Sequence, residues 1–205
     1  MILGLRRPRT GEIQALLAAR AELPVSYRAP GAPAPDPPRG YRLDRYGLDL
    51  GSGRELYLRA CSALRNWRMF AIPGVEICWP TVPLEVGRSV AVLAKLGPLW
   101  SVHPSRIVSL VGGAAPVERF GFCYATLPGH AIQGEERFSV EWSPDTDRVR
   151  YESVARSRPA ARLLRVPGVG LPWVCRMQRR FGAASLRAMQ RAVDSGSGPG
   201  SPRAG

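Results

Sequence analysis

The residues with the most chemical capacity lie between Arg119 and Phe138, RFGFCYATLPGHAIQGEERF, which holds Tyr124, His130, Glu135 and Glu136. A histidine titrates near neutrality, and a carboxylate beside it could complete an acid/base pair, with the Tyr124 hydroxyl donating to a substrate oxygen. The same three groups could equally grip the polar end of a ligand without catalysis, and His130 could simply bond a loop carbonyl. No serine elbow, no Cys/His pair with an orienting third group and no metal-ligand spacing accompanies them. His103, the only other histidine, precedes Pro104 in an expected loop and supplies no second ligand at a recognisable spacing. The sequence therefore assigns neither metal nor cofactor.

Two strands and a turn must position these groups. In the first arm, alternation puts Phe120, Phe122, Tyr124 and Thr126 on one face and Arg119, Gly121, Cys123 and Ala125 on the other. In the second arm Phe138, Val140 and Trp142 make the apolar face. Glu136 shares that face, whereas Glu135 points away and is expected in solvent. A carboxylate on an apolar face needs a partner, and Arg106, Arg137 and Tyr124 are the candidates.

Around this hairpin the periodicity predicts an antiparallel sheet. Strands are expected at Tyr41–Leu50, Val75–Trp79, Gly87–Lys95, Arg106–Val111 and Arg148–Ser157, with Gly and Pro punctuating the intervals. A short helix follows Thr10, ended by Pro24. A second runs to Trp67 from an apparent capping box, Ser52-Gly53-Arg54-Glu55, with Leu56, Ala60, Leu64 and Trp67 as its buried stripe. A phosphate-loop reading of Gly51-Ser52-Gly53 lacks the remaining glycines and the lysine.

The cover for the sheet is a terminal helix over Trp173 to Val193. Its apolar stripe includes Trp173, Met177, Phe181, Ala184, Ala188 and Ala192. Arg176, Arg179, Arg180, Arg187 and Arg191 form a basic arc beside the stripe, either a solvated face or a contact for an anionic surface. Organisation follows as residues 1–40, a helix and proline-rich connector; 41–193, the main domain; and 194–205, a disordered tail rich in Gly and Ser.

The formal net charge of +13 raises nucleic acid as a partner, but the charge stands alone: no nucleic-acid-binding motif supports it. Almost every basic residue is Arg, with Lys95 the single lysine. Cys61, Cys78, Cys123 and Cys175 are widely spaced in apolar segments and read as buried thiols, which favours a cytoplasmic location. No apolar run is long enough to span a bilayer, and the charged opening segment does not read as a signal peptide.

The motif order RRP, LPVSY, GY, LGSG, NW, EVG, RIV, GFCYATLPGH, GEERF and SRP, between Arg6 and Pro159, resembles an uncharacterised bacterial and plant family known as a domain of unknown function. The family's usual form has Gly where this chain has Ala125, which questions a backbone requirement there. The family in turn resembles the START-like (SRPBCC, helix-grip) superfamily. That resemblance implies an α+β fold whose curved antiparallel sheet wraps a long C-terminal helix around an apolar cavity. A small apolar molecule is then the expected partner, contacted by Phe120, Phe122, Tyr124, His130, Glu136, Phe138, Trp142, Met177 and Phe181. An enzyme of cyclase, isomerase or hydrolase type is the alternative.

Overall fold

The computed structural model describes residues 3–27, 38–113, 116–160 and 170–195, with side chains of the last segment from Arg176 onward. The expected connector and tail lie largely outside these residues, as do the side chains of Trp173 and Cys175.

Eight strands form one antiparallel sheet. In chain order they are β1 (Leu3–Gly4), β2 (Arg42–Ser52), β3 (Val75–Cys78), β4 (Ser89–Leu96), β5 (Leu99–Gly113), β6 (Glu118–Thr126), β7 (Ile132–Ser143) and β8 (Arg148–Pro159). The spatial order is β2-β8-β7-β6-β5-β4-β3, with β1 added against β5. Successive strands from β3 to β8 pair as neighbours, whereas β2 is carried across to pair with β8 and β1 to pair with β5. The helices are α1 (Thr10–Ala18), α2 (Arg54–Arg65) and α3 (Gly170–Asp194), with a 3-10 turn at Arg68–Phe70.

Both α2 and α3 lie on the same face of the sheet, α2 against β6, β7 and β8 and α3 against β2 and β8, joined through the 3-10 turn. The expected α2 stripe of Leu56, Ala60, Leu64 and Trp67 is buried. Its capping box is not formed: Ser52 still pairs with Arg148 as the last residue of β2. Gly53 takes the cap position at φ +101°, a backbone state that favours glycine and needs no side chain. At the other end Trp67 leaves the helix in the left-handed region, φ 54°. Its ring packs edge-on to Phe122 at 4.9 Å and its indole N–H donates to the Val82 carbonyl at 2.9 Å.

α1 is capped one residue earlier than expected, at Arg9 rather than Thr10, and ends earlier. Arg9 is the N-cap, with Glu12 accepting from its backbone N–H, and the helix is over well before Pro24. Ile13 and Leu16 bury against Cys78, Ala91, Leu93 and Val102 on the outer face of the sheet. Past α1, the chain crosses that outer face. Arg106 donates to the carbonyls of Arg20, Ala21 and Leu23, Arg20 donates to the Pro128 carbonyl, and Tyr27 is buried. Cys61, Cys78 and Cys123 are buried, as expected.

The arginine arc of α3 is exposed, but the buried stripe is turned relative to the expected one and runs through Gly182, Ser185, Ala188, Met189 and Val193. Small residues allow the close approach that decides this rotation. A Cβ on Gly182 would sit 2.4 Å from the Tyr46 ring on β2. Alanine is the better helix former by about 1 kcal/mol, yet overpacking of this kind costs about 1–3 kcal/mol. Gly182→Ala is therefore expected to destabilise the protein by about 1 kcal/mol net in urea unfolding, and a stabilised variant would show that α3 is not seated on Tyr46.

Candidate functional site

The inner face of the sheet divides into two regions. Beneath α2 it is solid: Phe122, Phe138 and Val140 have no exposed surface and pack with Trp67, Phe70 and Met69. Phe120 lies under the Arg65 guanidinium and Trp142 stacks on Tyr57, with its N–H donating to Asp147. Phe120, Phe122, Phe138 and Trp142 thus share the predicted face but not the hollow, because α2 fills the space in front of them. The sequence pattern fixes a side chain's face; it does not say which helix crosses it.

Beneath α3 the face is open, and a cavity of 410 Å³ lies between the sheet and the helix. This volume is in the range of small-molecule sites. Tyr124, His130, Glu136, Met177 and Phe181 line it, joined by Tyr46, Phe70, Val92, Ser101 and His103. Most of the wall is apolar, and its polar groups fall into two sets.

The first set centres on Glu136, directly opposite Tyr124 in the β6–β7 register. Tyr124 donates to Glu136 Oε2 at 2.9 Å and Ser153, from β8, donates to Oε1 at 2.7 Å. Of the three expected partners, Tyr124 alone reaches it: Arg137 pairs with Glu152, and Arg106 is spent on the carbonyls of the crossing segment. Burial pushes the Glu136 carboxyl above its ordinary value, and the two hydroxyl donors offset this only in part. Burial and the neighbouring carboxylate push the Tyr124 phenol well above its ordinary value.

The second set is a histidine pair. Pro128 and Gly129 (φ +91°) form the turn after β6, with the His130 N–H bonded to the Leu127 carbonyl, and the turn presents His130 to the cavity. There its ring meets that of His103 at 4.7 Å between centroids. His103 is not in a loop. It lies in β5, which continues through Pro104 from Leu99 to Gly113 and pairs His103 with Val92. Burial depresses both imidazoles, His103 to about 4 and His130 well below its ordinary value, where the neighbouring His103 adds to the effect. Both rings are neutral at pH 7. His103 and Ser101 are among the wall residues that sequence reasoning missed; strand alternation through Ser101, His103 and Ser105 was the available signal, hidden by the proline.

Glu135 is not solvated. It lies on the outer face, almost fully buried, 3.3 Å from the equally buried Arg156, with the Cys123 thiol 3.5 Å away. Thr126 and Gly134 are scaffold. The Thr126 hydroxyl donates to the Gly134 carbonyl and accepts its N–H, closing the hairpin where the regular ladder stops. A side chain at Gly134 would collide with the Arg156 carbonyl at 2.0 Å. Ala125 sits buried in regular β6, and its φ is not positive, so no glycine is required there. Among the described residues no cluster of metal-ligating side chains is present.

The sequence matches a domain of unknown function, DUF1990, over residues 26–188. It is 32% identical over 163 residues to a UPF0548 protein of Dictyostelium discoideum, covering 76% of this chain and 74% of that one. Among solved structures it is similar to the Zhui aromatase/cyclase from Streptomyces, with 15% identity, a TM-score of 0.50, and coverage of 78% of this chain and 97% of that one. It is likewise similar to a START superfamily protein from Mycobacterium smegmatis, with 12% identity, a TM-score of 0.50, and coverage of 76% and 99%. Likeness at these identities is likeness of fold, and the fold is α+β, START-like, with a curved antiparallel sheet and a C-terminal helix.

Proposed function

Since the chain belongs to the DUF1990 family and has a START-like fold, we propose that it binds a small, largely apolar molecule in the cavity between the sheet and α3. The observation that carries this reading is the cavity itself: a hollow of 410 Å³ with an apolar wall and a few convergent polar groups, beside a region of the same face that is fully packed. Tyr46, Phe70, Phe181 and Met177 supply apolar contact, and the Glu136 and histidine sets orient the polar parts of the ligand.

Ala155, on β8, is a small residue of the wall. Ala155→Phe is expected to lower affinity for a neutral apolar dye, N-phenyl-naphthylamine, by about tenfold or more, since the added ring occupies ligand volume. Dye fluorescence in the folded variant reads this directly, and unchanged affinity would place binding elsewhere.

A second reading, proton transfer on the bound molecule, is favoured by the Tyr124–Glu136 hydrogen bond inside the cavity. Glu136→Gln keeps the shape and removes the proton-transferring group. Retained dye affinity with loss of turnover on a candidate substrate would identify an enzyme; altered affinity alone would identify a carrier.

A further inference from the structure

One carboxylate gives the cavity its sign. Among the described residues every Asp and Glu is either ion-paired or exposed, with the single exception of Glu136. Tyr124 and Ser153 each donate to one of its oxygens, but both donors are neutral. The charged group that acts on it is a second carboxylate, Asp44, which already has the Arg42 guanidinium at 2.9 Å. A carboxylate oxygen can accept more than one hydrogen, so both Glu136 oxygens keep acceptor capacity. The Glu136 backbone is covered on both sides by β6 and β8, so the surface this part-buried residue retains lies on its side chain, which lines the cavity.

Strand register sets Asp44, Ala155, Glu136 and Tyr124 in one row across β2, β8, β7 and β6. The two acids thus flank the small Ala155, two strand spacings or about 10 Å apart along the row. The rest of the wall agrees in sign. The chain carries 29 Lys and Arg and a formal net charge of +13, yet among the described residues no Lys or Arg lines the cavity. Tyr46, Phe70 and Phe181 line it instead, and aromatic faces attract a cation that has left water. A buried carboxylate without a counter-charge is costly to keep, and a ligand that supplies the charge removes that cost.

We propose that Glu136 is an ammonium-binding group, so that the ligand is an apolar amine, protonated in water, whose N–H bonds the Glu136 carboxylate above Ala155. An alcohol of the same shape donates only a neutral hydrogen bond there, and a hydrocarbon donates none. An organic acid meets a wall whose charges are of its own sign. This inference rests on the cavity binding an apolar molecule at all.

The test uses the full chain at neutral pH and displacement of N-phenyl-naphthylamine by four naphthalenes that carry, on the same carbon, an aminomethyl, hydroxymethyl, ethyl or carboxymethyl group. The aminomethyl compound is expected to bind about tenfold tighter than the ethyl compound, with the acid weakest. Attraction to the surface of so basic a chain would favour the acid, so the expected order runs against it. In Glu136→Gln, which keeps the shape and loses the charge, the ratio of amine to ethyl affinity should fall to about one. If Glu136→Gln does not fold, carbon NMR of the unaltered protein decides: the Glu136 carboxyl resonance should move with the amine and stay with the ethyl compound. Equal affinities across the set, or tightest binding of the alcohol or the acid, would overturn the ammonium site while leaving the apolar cavity standing. Absence of binding by the dye and by every naphthalene would overturn both.

Discussion

Replacing Glu135 by leucine is expected to lower the unfolding free energy by about 3–5 kcal/mol, the usual consequence of removing one member of a buried ion pair. The carboxylate is 3.3 Å from the Arg156 guanidinium, and both side chains are nearly inaccessible, at 2% and 8% exposure. With Glu135 gone, that guanidinium stays buried without this carboxylate beside it. Changing both members, Glu135→Leu with Arg156→Met, removes the stranded charge as well, so the double variant should cost much less than the sum of the single ones. Urea unfolding of the four proteins supplies the coupling energy, expected at about 2 kcal/mol or more. A Glu135→Leu variant weakened by under about 1 kcal/mol would mean that the crossing segment with Tyr27 does not seal this outer face.

The second large effect is acid instability centred on the histidine pair. His103 titrates at about 4 in the folded protein against an ordinary 6.5. Between those values the unfolded chain holds a proton that the folded one does not, so stability rises with pH across the window and is lost on acidification. For His103 alone the full window corresponds to about 3 kcal/mol, at 1.36 kcal/mol per unit. His130, depressed in the same direction, adds to the slope. Glu136 opposes it: its carboxyl is raised, so above its ordinary value the folded state binds the extra proton, and acidification there stabilises. The net wild-type slope is the difference of these contributions, and His103→Asn isolates one of them. Its unfolding free energy should depend on pH less steeply than wild type by up to one proton between about pH 4 and pH 6.5. Parallel curves for the two proteins would show that His103 is solvated.

These two effects also mark where sequence reasoning stopped. Glu135 and Glu136 are adjacent, and alternation correctly sends them to opposite faces. It could not say that the face with fewer aromatics is also covered, because the cover is a segment from near Arg20 to Tyr27, brought there by the hydrogen bonds of Arg106 and Ser26. His103 was discounted through its proline neighbour. β5 accommodates Pro104 in the middle of a strand, between Ala91 on β4 and the Leu127 N–H that its carbonyl accepts.

Periodicity by itself determined most of the strands, the shared face of β6 and β7 that carries Tyr124 and Glu136, and the terminal amphipathic helix, because each depends on side-chain direction over a few residues and the chain's own geometry fixes that. Tertiary structure alone decided that Phe122 and Phe138 face packed side chains while Tyr124 and Glu136 face a hollow. The difference lies in which helix crosses each part of the sheet and how closely Gly182 lets α3 approach Tyr46. It also decided the meeting of His103 with His130, since contact between residues far apart in sequence is set by strand register and turn geometry, which no local pattern encodes.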